Sequence, residues 1–190
     1  MPQNPKNSAF VCSWRERQLI DSFSGEVPKG SRVLDIGCGN GTMGYAVEKA
    51  YGAKVDGADI TNMIVGTMPF HKLPESWATW PDKSFDIVMI NDALHHMTPE
   101  IQMATLRDSL RVGKKIIIFD TRPTLLAKTA DVVLGFLVYW GKEVVPLTHR
   151  DSEEWKQLLH GLGAKTHEHP VAKPFFFYPL KHFVIVANRD

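Results

Sequence analysis

Val33-Leu34-Asp35-Ile36-Gly37-Cys38-Gly39-Asn40-Gly41 is an apolar run that passes straight into glycines. Val33, Leu34 and Ile36 suit a strand buried on both faces, and the pattern that follows, with Tyr45, Ala46 and Val47, suits a helix. Glycines in a turn of this kind let a ligand approach the backbone closely. Gly39, Gly41 and Gly44 also spell G-x-G-x-x-G, and Asp59 follows about 20 residues after the first of them, which is the spacing of a dinucleotide fingerprint. By spacing alone, two ligand classes fit the loop.

Outward from this unit, short runs rich in β-branched residues alternate with helical patterns, the signature of βαβ units and a largely parallel sheet. Strands are expected at Ser31 to Ile36, Lys54 to Asp59, Pro69 to Leu73, Phe85 to Asn91 and Lys115 to Asp120, with a closing pair near Lys165 to Val171 and His182 to Asn188. Pro69 weakens the third, because proline cannot donate to a ladder. Ahead of the first strand, Ala9, Phe10, Trp14, Leu19, Ile20 and Phe23 recur at helical spacing and predict a helix over about 8–24. A second helix should begin with Thr98 as N-cap and Pro99 in its first turn, and stop at Gly113. A third should open at Ser152 with Glu153 and Glu154 at the positive end of its dipole, bury Trp155, Leu158 and Leu159, and end near Gly161. The segment 121–151 is too long for a simple connection. Its stripe of Leu125, Leu126, Val132, Val133, Phe136, Leu137 and Trp140 suits a lid or pocket wall at the carboxyl ends of the strands.

The chain has 190 residues, 44% hydrophobic and 23% charged, which fits one globular domain spanning 1–190. Its formal net charge of +1 gives no long-range attraction to nucleic acid or to an anionic membrane, so a nucleic-acid substrate is not expected. Cys12 and Cys38 are too few for a disulfide framework and lack the paired spacing of a structural zinc or iron–sulfur site. No metal site is expected, and a reducing, cytoplasmic setting fits. Met1 to Ser8 lacks the apolar core of a signal peptide. The longest apolar tract, Leu125 to Trp140, holds Lys128 and Asp131 and falls short of the roughly 20 apolar residues of a membrane span, so no transmembrane segment is expected.

Charge separates the two ligand classes. Asp35 is expected at the strand end facing the glycine loop, where a dinucleotide would place its pyrophosphate. Like charges about 4 Å apart cost roughly 4 kcal/mol at an effective dielectric of 20. S-adenosylmethionine brings a sulfonium and an α-ammonium to that place instead, and a carboxylate favours both. A carboxylate that merely caps the next turn is the plainer alternative for Asp35, but it leaves the glycine cluster without a purpose.

With these residues in view, the sequence resembles the class I S-adenosylmethionine-dependent methyltransferases, and more narrowly their small type 11 branch. The resemblance runs from Val33–Gly41 through Ser84-Phe85-Asp86-Ile87-Val88 and Leu94-His95-His96 to the terminal strand. It implies a Rossmann-like, doubly wound α/β fold with seven strands and an antiparallel last strand. It also implies S-adenosylmethionine as cofactor, with the backbone of Gly37 and Gly39 against the methionyl part and Asp59 on the ribose hydroxyls, with Asp56 as the fallback. The full candidate cofactor set is Asp35, Gly37, Cys38, Gly39, Asn40, Gly41, Asp59, Ile60, Glu75, Asn91, Asp92 and Ala93. Relatives usually carry an acid after the third strand that reaches the adenine amino group. Here that place reads Leu73-Pro74-Glu75-Ser76-Trp77, where Glu75 could serve after a one-residue shift with Trp77 stacking on the base; an exposed Glu and a core Trp are the alternative. Phe85 and Asp86 are assigned to packing and strand entry.

Methyl transfer from a sulfonium is an in-line displacement, which needs alignment first and a base only if the acceptor must lose a proton. The candidate catalytic groups are His96, His95 and His149, each with a structural hydrogen-bonded role as its alternative. Tyr139, Trp140 and the run Phe175 to Tyr178 add aromatic surface, which points to a small, apolar or aromatic organic acceptor. Two rival readings remain: a nicotinamide-dependent oxidoreductase, disfavoured by Asp35, and a noncatalytic interaction protein that uses the 125–140 stripe as its contact surface. The acceptor, the atom methylated and the oligomeric state are left open.

Overall fold

β1 (Arg32–Ile36) is central in a seven-stranded sheet and pairs in parallel with β2 (Lys54–Asp59) on one side and β4 (Phe85–Asn91) on the other. The computed structural model describes residues 16–23, 25–127, 129, 148–171 and 180–189. The strand order is β3-β2-β1-β4-β5-β7-β6, with β3 at Phe70–Lys72, β5 at Gly113–Thr121, β6 at Lys165–His169 and β7 at His182–Asn188. β7 runs antiparallel to both β5 and β6, and the other pairings are parallel. The order turns back between β1 and β4, so their carboxyl ends form the crevice where doubly wound sheets bind ligands.

Alternate residues of the central strands feed two cores. Leu34, Ile36, Val88, Ile90, Ile116, Ile118 and Ile185 pack with Leu106 and Leu110 of α3 (Pro99–Val112) and Trp155 and Leu159 of α4 (Ser152–Gly161). Val33, Val55, Ile87, Met89, Ile117, Phe119, Val184 and Val186 pack with Leu19 of the helix over 16–22, with Phe23 in the turn after it and with Val47 of α2 (Thr42–Tyr51). We label the helical stretch 16–22 as α1. Helices thus cover both faces, as a parallel sheet requires.

Among the described residues the expected strands and helices form, with local differences; of the helix expected over about 8–24 the stretch 16–22 is helical, and Ala9, Phe10 and Trp14 lie outside the described residues. β3 is shorter than Pro69 to Leu73, since it is an edge strand with β2 as its partner and Pro69 has no N–H to give. β5 starts two residues early because α3 ends at Val112 and the chain turns straight into the strand at Gly113. There a Cβ would lie 2.7 Å from Val88 Cγ2. β6 ends at His169, short of Val171. Thr98 caps α3 through the Ile101 N–H, as its sequence predicts. α4 opens at Ser152 with Asp151 as its cap: the Asp151 side chain and Glu154 close a capping box. Trp155 and Leu159 are buried as expected, whereas Leu158 is half-buried.

Candidate functional site

The glycine turn takes its shape from its neighbours. Gly37 has φ +72°, and a Cβ there would stand 2.5 Å from Ala93 Cβ, so the turn after β4 presses directly on the loop after β1. Gly39 has φ +52°, and a Cβ there would project into open space. Only the second arrangement leaves room for a ligand against the backbone. Asn40 acts locally: its Oδ1 accepts the Thr42 N–H and hydroxyl at the start of α2, and its carbonyl accepts the Val65 N–H. Gly41, at φ +83°, precedes α2 with Tyr45 and Ile64 against it.

Asp59 ends β2 and faces this turn. Its Oδ2 accepts the Gly39 N–H at 3.0 Å and its Oδ1 accepts the Ile60 N–H at 2.7 Å. Each oxygen keeps lone-pair capacity for a hydroxyl, which suits a diol. Asp56 is committed elsewhere, to His71 at 3.1 Å and Arg32 at 3.5 Å. Ile60 beside Asp59 is 68% exposed and offers an apolar surface on the same rim.

Asp35 is fully enclosed beneath the loop. Its Oδ1 accepts the Asn91 amide at 3.3 Å, while its Oδ2 and the Asn91 Oδ1 have no partner among the described residues. Burial pushes the Asp35 carboxyl up to about 8, with Asn91 pulling it down and the charge of Asp59 pushing it further up. Burial thus favours the protonated form of the ligand-free carboxyl, where the sequence led us to expect a standing negative charge. Cys38, buried between Asp35 and Asp59, has its thiol pushed up to about 12 by burial and then by those two carboxyls.

After β4 the chain takes a tight turn. Asp92 adopts φ +47°, rare for a residue with a side chain, while its N–H bonds the Phe119 carbonyl at 2.8 Å and its Oδ1 accepts the Thr121 hydroxyl at 3.4 Å. Leu94–His96 then forms a single 3₁₀ turn. His95 is buried, with Nδ1 2.6 Å from Asp120 Oδ1, and His149 stacks on it at 4.5 Å between ring centroids. His96 is exposed, its ring 4.1 Å from that of His95. The structure thus brings the three candidate histidines together at the carboxyl rim. It adds Asp120, which the sequence reading placed merely at a strand end. Burial raises the Asp120 carboxyl and the His95 contact opposes the rise.

The ends of the 121–151 segment are pinned beside this cluster. Thr148 donates its N–H to the His95 carbonyl at 2.9 Å and its hydroxyl to the Met97 carbonyl at 2.6 Å. Arg122 bonds Asp151 and, at 2.6 Å, Glu168. Leu125 and Leu126 are 84% and 51% exposed; the rest of the stripe, with Tyr139, Trp140 and Phe175 to Tyr178, lies outside the described residues. Glu75 is exposed in a 3₁₀ turn and pairs with Lys72 at 3.7 Å. Trp77 packs edge-on against Trp80 at 5.5 Å, within an aromatic cluster that includes Phe85. Phe85 is buried and Asp86 binds the Arg32 N–H at 2.9 Å, the packing and strand-entry roles assigned to them.

Residues 17–123 match the family described as "Methionine biosynthesis protein MetW". The chain belongs to the MetW family. A 27-O-demethylrifamycin SV methyltransferase of Amycolatopsis mediterranei (strain S699) is 32% identical to it over 95 residues, 42% of this chain and 35% of that protein. A ubiquinone biosynthesis O-methyltransferase of Idiomarina loihiensis is 26% identical over 177 residues, 85% of this chain and 71% of that protein. The chain therefore spans about a third of the length of one relative and most of the other. Among solved structures, a SAM-dependent methyltransferase from Archaeoglobus fulgidus shares the fold, with TM-score 0.68, 22% identity and coverage of 95% of this chain and 94% of that one. The MetW-family chain thus shares the fold of a SAM-dependent methyltransferase and is similar to curated methyltransferases, and S-adenosylmethionine is the cofactor that this similarity implies. The residues present fit that group. The open space at Gly39, the paired oxygens of Asp59 and the unpartnered Asp35 Oδ2 supply room, a diol acceptor and a latent negative charge.

Proposed function

We propose that this chain methylates an oxygen of a small, apolar or aromatic organic acceptor at the rim formed by the carboxyl ends of β1, β2, β4 and β5. The observation that carries the reading is the buried Asp35 carboxyl, whose Oδ2 has no partner among the described residues beside a glycine turn open to a ligand. Asp35, the backbone at Gly37 and Gly39, Asp59, and the turn from Asn91 to Ala93 would hold S-adenosylmethionine. When bound, that group supplies a methyl on a sulfonium, ready for in-line displacement. Two relatives carry an O-methyl position or O-methyltransferase in their names, which supports an oxygen acceptor here.

Within this reading, His96 is the group placed to take the acceptor's proton, because it is exposed on the rim where the other two histidines are more enclosed. His95 is a positioning residue: Asp120 holds its Nδ1 and so fixes the 3₁₀ turn that presents His96. Thr148 and His149 close over the same turn and help exclude water.

S-adenosylmethionine and its demethylated product should raise the melting temperature, since each binds the folded chain; no shift at millimolar ligand would end the reading. With labelled methyl donor and a panel of phenols, alcohols and amines, label should appear on oxygen. Label confined to the amines would overturn the oxygen assignment. His96→Gln, which keeps hydrogen bonding but loses the base at neutral pH, should cut turnover about 10² to 10⁴-fold with cofactor affinity unchanged. A Gln variant that retains most of the rate would leave His96 only a contact to the acceptor.

A further inference from the structure

We propose that Glu26, His167 and His169 form a binding site for one zinc-like divalent transition-metal ion, separate from the methyl-transfer rim. The three potential ligand atoms all lie within 4.8 Å of one another. Glu26 Oε1 stands 3.2 Å from His167 Nε2 and 2.9 Å from His169 Nε2. Two ligands on one tetrahedral zinc, each about 2.0 to 2.1 Å from it, are themselves roughly 3.3 Å apart. Both distances from Glu26 to the histidines are thus already close to the spacing that coordination demands.

The fold explains why these groups converge. Residues two apart on a strand face the same way. In the ladder across the sheet, Ile117 lies opposite Val186 and Val186 opposite His167, while Phe119, Val184 and His169 form the parallel row. Val186 and Val184 belong to the core beneath α1, so both imidazoles lie on that face, and Glu26 approaches from the turn that follows α1. Lys115 fixes the carboxylate: its ammonium binds the Glu26 carbonyl at 3.1 Å and Oε2 at 2.6 Å, which leaves Oε1 turned to the histidines. Burial opposes ionisation of Glu26, but Lys115 and the two histidines outweigh it and hold the carboxyl at about 2, so the ligand is already ionised at neutral pH.

Two imidazole nitrogens with one carboxylate oxygen suit zinc, cobalt or nickel rather than calcium or magnesium, which prefer all-oxygen sets. The exposed side of His167, 55% accessible, leaves a fourth position for water. An ion there would tie the turn before β1 to the edge strand β6. Glu26 and His167 are 141 residues apart, so the bond would cross-link the two ends of the fold. The expectation of no metal site rested on cysteine spacing; histidines at i and i+2 carry no such signal until the sheet brings a carboxylate to them.

Cobalt(II), titrated into the intact chain, should give the visible absorption of a tetrahedral site, saturate at one ion per chain and be displaced by zinc. The double substitution His167→Gln, His169→Gln should weaken that site by at least about 10 to 100-fold. Glu26→Gln, which changes no volume, should abolish the zinc-dependent rise in melting temperature while circular dichroism confirms the fold. No saturable cobalt spectrum in the unmodified chain, or an unchanged spectrum in the double variant, would overturn the site and leave these groups a surface ion-pair cluster only. Methyl-donor binding tested in parallel separates this outcome from a failure of the proposed activity.

Discussion

Asp35 and Asp120 both lie near the carboxyl ends of parallel strands, both are almost wholly buried, and burial raises the pKa of both. Their surroundings differ. Asp120 Oδ1 meets His95 Nδ1 and the Thr121 N–H, two partners that the folded chain itself supplies. Asp35 has one long contact to Asn91 and an oxygen with no partner among the described residues. The first arrangement is complete in the folded chain; the second is completed by a ligand. A buried acid of the first kind maintains geometry, and one of the second kind is held at a cost that binding offsets.

The largest test of this contrast is Asp120→Ala, which strands His95 in the interior without its partner and should cost about 3 to 5 kcal/mol of stability, read from denaturant midpoints. A loss under about 1 kcal/mol would show that Asp120 is no more committed than Asp35. Next comes pH. The folded pKa of Asp35, about 8, lies above the ordinary carboxyl value of 3.8, so between them the folded state holds a proton that the unfolded chain has released. Stability should therefore fall as pH rises through that window, by up to about 1.4 kcal/mol per pH unit from this group. Asp35→Asn should flatten the slope and bind S-adenosylmethionine more weakly, becoming steadier and less functional in one step. A variant with the same slope would place the titration elsewhere. The smallest effect belongs to Asp59→Ala, expected to weaken cofactor binding by about 1 to 3 kcal/mol in calorimetry; unchanged affinity would move the diol contact to another residue.

β1, β4, β5 and β7 were legible because each holds an apolar run rich in Val and Ile, and β2, β4 and β7 coincide with the expected limits. The edges blurred where pairing is one-sided, as at β3, or where a helix flows into a strand, as at Gly113. That Asp59 faces the glycine turn was legible from its distance past the glycines. Asp120 was not, because its meaning depends on His95 on another strand's loop, 25 residues away in sequence. The proton on Asp35 was also hidden: a sequence shows a carboxylate, and enclosure makes it an acid. Glu75, singled out by its position after β3, stands exposed beside Lys72, and its surroundings could not be read from the sequence.

Cys38 turns the glycine loop into something that can be timed. Burial holds its thiol far above the ordinary value, so little of it ionises near neutral pH. Sγ is also tucked so tightly against Gly57 that a Cβ there would fall 2.8 Å from it. An electrophile in solution therefore reacts with Cys38 chiefly during excursions in which the loop leaves β2. In a chain with Cys12 replaced by Ser, the alkylation rate becomes a clock for those excursions, and any occupant of the loop slows it.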